Sequence, residues 1–118
     1  METIIPEEVF DILADDYCRE ILAHANDEPM SAQQLAQALD AHHSTVYRRL
    51  ERLEDLGLIV GQQRVDVEEG HHYTVYKTTL EEITVNLNND QYSVRLRRVE
   101  DPIDRMAQMW QQIRGDQP

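Results

Sequence analysis

Three features of the 118-residue sequence predict an α+β fold. Between His42 and Ile59, Val46, Leu50, Leu53 and Leu56 recur near helical spacing, so one stripe faces a core while Ser44, Arg48 and Arg52 project from the opposite side. Gly57 follows the last periodic residue, where a left-handed C-cap favours a residue without Cβ. Beyond it, Leu58–Val67 and His72–Thr78 read as two strands joined by Glu68, Glu69 and Gly70, a short glycine-containing hairpin loop.

The other elements follow in order. Pro6 fits the first turn of a helix in which Val9, Phe10 and Leu13 share a face, and Glu7 and Glu8 complement its positive end. Asp15 or Asp16 caps a second helix with Tyr17, Cys18, Ile21, Leu22 and Ala25 as its inner stripe, and Asn26 to Pro29 ends it. Ser31 with Gln34 is a capping-box pattern for a short helix whose buried residues are Leu35, Ala36 and Leu39. Past the first hairpin, Ile83, Val85 and Leu87 alternate, Asn88 to Asp90 supplies turn residues, and Tyr92, Val94 and Leu96 alternate again. A second hairpin with one apolar face is therefore expected to cover something. Asp101 caps a terminal helix opened by Pro102, along which Ile103, Met106, Trp110 and Ile113 take an a/d-like spacing.

Asp40 and Ala41 alone separate the short helix from the long one. Two helices, a tight turn between them, and small, hydroxylated, then basic residues opening the second are what a helix-turn-helix needs to enter the major groove. SAQQLAQALDAHHSTVYRRLERLEDLGLI resembles the DNA-binding core of the winged helix-turn-helix regulators, most like the ArsR and PadR-like groups. STVYRRLERLEDLGLI is its specific part, and the likeness extends loosely over the whole chain. An ordinary pair of packed amphipathic helices would explain the stripes but not the Gly57 stop followed by a hairpin.

The resemblance implies a sequence-specific transcription regulator that binds double-stranded DNA as a homodimer on a pseudo-palindromic operator. Residues 1–78 would form the winged helix-turn-helix, and residues 79–118 the second hairpin and a C-terminal dimerisation helix, within one compact domain. Ser44, Thr45 and Arg48 are expected at base edges; His42, His43, Tyr47, Arg49, Arg52, Arg64, His71 and His72 are expected at phosphates. Ile103, Met106, Trp110 and Ile113 would pair with their twins. Glu68 and Glu69 depart from the usual basic wing tip.

The net charge of −12 is unusual for a nucleic-acid binder, whose affinity for phosphates comes from Lys and Arg. Its distribution resolves part of this. Residues 1–41 hold one Arg against ten acids, residues 65–118 hold six bases against ten acids, but residues 42–64 hold four Arg against three acids. Lys77 is the single lysine beside ten arginines and 23 acids, a surface that resembles proteins of salt-accumulating archaea. Molar salt there cuts the Debye length to roughly 3 Å and suppresses repulsion between acidic protein and DNA, with salt ions expected at the interface.

The acids near the N-terminus and the lack of a long apolar run predict a cytoplasmic protein without a membrane span. No nucleophile elbow, phosphate loop or HExxH motif suggests an enzyme, and no cofactor is expected. The pairs His42–His43 and His71–His72 have no Cys or carboxylate at ligand spacing, so no metal is expected. ArsR-type metal sensors carry paired cysteines, whereas Cys18 is alone and sits on an apolar stripe, where a buried inert thiol is expected over a redox sensor. Two other functions fit the sequence: a winged-helix module that binds protein through its acidic faces, and a ligand-gated sensor with a cavity at a dimer seam.

Overall fold

A computed structural model of the chain describes residues 4–99. The expected terminal helix, with Ile103, Met106, Trp110 and Ile113, lies outside them. The described elements are α1 (Pro6–Ala14), α2 (Asp16–Asp27), β1 (Met30–Ser31), α3 (Ala32–Leu39), α4 (His43–Asp55), β2 (Ile59–Val65), β3 (His72–Thr78), β4 (Leu80–Asn88) and β5 (Gln91–Arg98). This is an α+β winged helix-turn-helix: α3 and α4 are the helical pair, β2 and β3 the wing, and β4 and β5 the second hairpin.

Local chemistry sets most boundaries. Pro6 opens α1, where its missing N–H costs nothing. Asp15 caps α2 through Oδ1, which accepts from the backbone N–H of Tyr17 at 2.9 Å and of Cys18 at 3.3 Å. Ser31 and Gln34 close a reciprocal capping box on α3. At the far end of α3, Asp40 takes a left-handed φ of +51°, and the Ala41 N–H returns to Ala36 O at 3.0 Å, so the turn is compact. The tip of the second hairpin has positive φ at both Asn89 and Asp90, the backbone that lets a two-residue turn match the twist of its strands.

The core lies where α2, α3 and α4 meet the wing. Cys18, Ile21, Leu35, Val46, Leu50, Leu53 and Leu58 are almost wholly shielded from solvent there. On α1 the buried pair is Val9 and Ile12, and Phe10 and Leu13 are half-buried, not the Val9, Phe10 and Leu13 face expected. Phe10 instead turns edge-on to Tyr92 of β5, with ring centroids 5.7 Å apart, so α1 is seated partly on the second hairpin.

Two features differ from expectation in the sheets. β1 was not foreseen: it is two residues long, and it pairs Met30 with Tyr76 and Ser31 with Val75, giving a three-stranded antiparallel order β1-β3-β2. Strand β2 stops at Val65, short of the expected Val67, because Asp66 curls the loop. Its carboxylate accepts from the Glu68 and Glu69 N–H groups, and its carbonyl accepts from Gly70 N–H at 2.7 Å.

α4 ends in a grip built from distant residues. Gly57 adopts φ +69°, and the Leu58 N–H reaches back to Leu53 O at 2.9 Å. The next three carbonyls are then all taken. Leu56 O accepts from Arg98 Nη2 at 2.7 Å, Gly57 O from Thr79 Oγ1 at 2.8 Å, and Leu58 O from the N–H groups of Thr79 and Leu80 at 2.9 and 3.2 Å.

The core also contains the chain's one thiol. Cys18 has no exposed surface, and burial, helped by the nearby Asp15 charge, pushes its pKa up to about 11.

Gly57→Ala should destabilise the domain by about 1–2 kcal/mol, since a side chain in the left-handed region is strained. The added Cβ would also lie 3.1 Å from Arg98 Nε. The measurement is the urea midpoint at unchanged m; an unshifted midpoint would show that the turn relaxes freely. Cys18 should resist iodoacetamide at pH 7.5 in the folded protein and react only after denaturation, and Cys18→Ala should leave any oxidant response intact. Modification of the native protein at the rate of a free thiol would contradict the burial reading.

Candidate nucleic-acid interface

The outward surface of α4 follows from its inward one. With Val46, Leu50 and Leu53 against the core, Ser44, Arg48, Glu51 and Asp55 are all exposed and succeed one another at helical spacing on the opposite ridge. That ridge is polarised. Its first half carries a hydroxyl and a guanidinium, and its second half two carboxylates. Burial raises the pKa of the neighbouring Glu54, and the charges of Asp55 and Glu51 raise it further, as expected where three acids share the last turns.

Most of the sequence-predicted contacts lie along this exposed surface. His42 is the N-cap residue of α4, without a side-chain cap bond, and His43 is the first helical residue; both are exposed. Thr45 is half-buried on one flank of the ridge, while Tyr47, 53% exposed, and the exposed Arg52 occupy the two sides. Arg64, His71 and His72 are exposed on the wing, where Arg64 pairs across the strands with Tyr73 and His72 with Val65. The His71 Nε2 lies 3.8 Å from a Glu69 carboxylate oxygen, so the acidic loop tip faces its own histidine. Gly61, directly opposite Tyr76, leaves the space in which that ring packs; a Cβ there would meet Tyr76 Cε1 at 3.3 Å.

Arg49 is placed differently from its neighbour Arg48. Its Nε donates to Asp15 Oδ2 at 3.2 Å, its Nη1 reaches the carbonyl of Thr45 at 3.4 Å, and its guanidinium lies 5.3 Å from the centre of the Tyr17 ring. Both partners of the ion pair are largely shielded, with side chains 25% and 19% exposed. Burial alone would raise the Asp15 pKa. The N–H groups of Cys18 and Tyr17 and the Arg49 charge outweigh it, and the carboxyl is held below its usual range.

Sequence reasoning left the cap of α2 open between Asp15 and Asp16, and it missed the second bond of Asp15, because the partner is 34 residues away and no periodicity links them. It likewise missed Thr79 and Arg98 at the end of α4. Among the described residues, no group of three or more His, Cys, Asp or Glu side chains is arranged to hold a metal ion, and no helix is long and apolar enough to cross a membrane.

Comparison with known proteins agrees with this geometry. No curated protein matches the chain. A family model described as a helix-turn-helix domain matches residues 13–62, the stretch from the last turn of α1 through the first half of β2. The chain thus contains a helix-turn-helix domain, with α4 as its second helix, of the kind that supports a DNA-binding regulator.

Proposed function

We propose that this chain is a sequence-specific DNA-binding transcription regulator that acts as a homodimer on a pseudo-palindromic operator in a high-salt cytoplasm. The observation that carries the proposal is the surface of α4, which projects Ser44 and Arg48 from a helix anchored by Val46, Leu50 and Leu53. Side chains that read base edges must be held still, and a helix with three fully buried anchors meets that need. The helix-turn-helix match over residues 13–62 supports the same reading.

In this reading Ser44, Thr45 and Arg48 meet bases, with Arg48 suited to the paired acceptors of a guanine. His42, His43 and the first-turn N–H groups of α4 approach one phosphate strand, Tyr47 and Arg52 flank them, and Arg64, His71 and His72 contact phosphates from the wing. Residues 79–118 supply the pairing surface, with Ile103, Met106, Trp110 and Ile113 forming a seam between two copies. The resemblance to ArsR and PadR-like regulators then concerns architecture rather than metalloid sensing, since the single cysteine is buried.

One observation favours a second reading, a winged-helix module that binds protein. Val85, Leu87 and Tyr92 on the second hairpin are 44%, 59% and 57% exposed, an apolar patch on an otherwise acidic chain. A gel shift at high KCl separates the two: no retarded duplex under any salt condition would leave the protein-binding reading standing.

Arg48→Ala should cost about 1–3 kcal/mol on the operator and blur its sequence preference, while binding to random duplex changes little. Fluorescence anisotropy on both duplexes measures this, and equal losses on the two would remove Arg48 from the base contacts. Salt dependence is the second measurement. A protein that neutralises phosphates loses affinity with a log–log slope near −0.9 per contact, because condensed cations leave the DNA. Here Glu51, Asp55, Glu68 and Glu69 are exposed beside the contacting residues, so cations should be retained or taken up between two negative surfaces. We expect a flat or reversed slope between low and molar KCl, with circular dichroism showing a looser fold at low salt. A steep negative slope with a salt-indifferent fold would mean that the acidic surface is ordinary.

A further inference from the structure

Two adjacent arginines open the middle of α4, and their surroundings are opposite. Arg48 stands exposed on the ridge, whereas Arg49 is half-buried and engaged through its Nε and Nη1. Its Nε is bound to Asp15, its Nη1 faces the Thr45 carbonyl one turn back on the same helix, and its flat face lies near the Tyr17 ring. Asp15 in turn is held from the other side by two backbone N–H groups of α2. The carboxylate therefore joins the first turn of α2 to the centre of α4, and the cation that receives it comes one residue after Arg48.

We propose that Arg49 is a positioning residue: with Asp15 and Tyr17 it fixes the seat of α4, and so the aim of Ser44, Thr45 and Arg48, without itself touching phosphate. The inference rests on the DNA-binding reading above and refines it by removing Arg49 from the contacts and adding Asp15, the cap of α2, and Tyr17 in its first turn to the reading apparatus. The physical reason is competition. An arginine that reached for phosphate would have to leave a partly buried carboxylate and an aromatic face, stranding Asp15 among groups that desolvate it. Thr45 gains from the same arrangement, because its backbone carbonyl is under Arg49 while its side chain lies at the edge of the ridge. The clamp thus reaches a residue expected at the bases through main-chain atoms.

Asp15→Asn is the discriminating variant. Asparagine caps a helix as well as aspartate does, so α2 keeps its N-terminus while the charge facing Arg49 disappears. Arg49→Lys is its counterpart, since lysine preserves a positive charge for phosphate but lacks the planar fork that meets Asp15, Thr45 and Tyr17 together. Both variants and their combination are to be titrated by anisotropy against a duplex selected by the wild-type protein from a random pool and against one random duplex, across a KCl series, with Tm recorded for each. We expect Asp15→Asn and Arg49→Lys each to weaken the selected duplex about tenfold and the random duplex much less, with the double variant no worse than either single, as for two groups that act as one. The log–log salt slope should stay at the wild-type value in both.

If Arg49 contacts phosphate instead, Asp15→Asn will be silent on DNA, Arg49→Lys will bind nearly as wild type, and Arg49→Ala will change the slope by about one contact. Any of these overturns the proposal. Failure of the wild-type protein to bind any duplex overturns the DNA-binding reading and is a separate result. The clamp is still tested in that case, because the Tm values must show non-additive losses for the Asp15 and Arg49 variants, and additive losses would refute it.

Discussion

An α-helix that stops inside a small domain leaves its last carbonyls without intrahelical partners, and a buried carbonyl left unpaired is costly. α4 meets this problem at the point where the helical core, the wing and the second hairpin converge. Gly57 turns the chain through a left-handed residue, and Leu58 enters the core beside Leu53, the apolar contact that accompanies such a stop. Leu56, Gly57 and Leu58 then give their carbonyls to Arg98, Thr79 and Leu80. One turn of chain thereby fixes how α4 is oriented relative to both hairpins. The Thr79 carbonyl continues the chain of bonds by accepting from Val99 N–H at 2.7 Å, so the strand that leaves β5 is tied to the same junction. The second hairpin is consequently not an appendage: its last arginine closes the helix that the rest of the domain presents.

The same helix sets the electrostatics. Its three arginines and three acids cancel; Arg48 and Arg49 precede all three acids, whereas Arg52 falls in the last turn among Glu51, Glu54 and Asp55. A helix already carries partial positive charge at its N-terminus and negative charge at its C-terminus, and the excess of acids in the last two turns adds to the second. A polyanion approaching α4 is attracted by its first turns and repelled by its last. The wing is less selective, since Arg64 near the end of β2 and His72 at the start of β3 flank a loop that holds Asp66, Glu68 and Glu69 beside His71.

How far the sequence carried the description depends on the range of each interaction. Caps, stops and alternation are local, so Asp15, Ser31, Gly57 and the two hairpins were legible, as was the α+β class. β1 escaped because two residues offer no periodicity; Met30 and Ser31 become a strand only because β3 presents a free edge to them. Strand β2 ended early because Asp66 binds its own loop, a choice that alternation cannot report. In the candidate site, the exposed ridge of Ser44 and Arg48 followed from helical phase alone. The divergence of Arg48 and Arg49 did not, because adjacent residues on a helix differ by about 100° and which flank is occupied depends on a partner far away in sequence.

The pairing of Arg49 with Asp15 also gives a local reason for one global bias of the composition. A lysine at this position would bring one ammonium with no fixed plane; it could satisfy Asp15 or lean on Tyr17, but not also direct a second donor to the Thr45 carbonyl. Arg98 directs its Nη2 to Leu56 O, and its Nε and Cζ fill the space that a Cβ at Gly57 would need. Arg97, on the other face of the hairpin, divides its two terminal nitrogens between Glu81 at 2.6 Å and Glu82 at 3.1 Å. At Arg49 and Arg97, then, one guanidinium joins two or more groups through separate atoms of its plane. In a chain with 23 acids and 11 cations, a cation that serves several acceptors goes further, and arginine does so by geometry. The lone Lys77, by contrast, makes one bond, to Asn26 O at 2.7 Å at the end of α2, where a point charge at a helix C-terminus is enough.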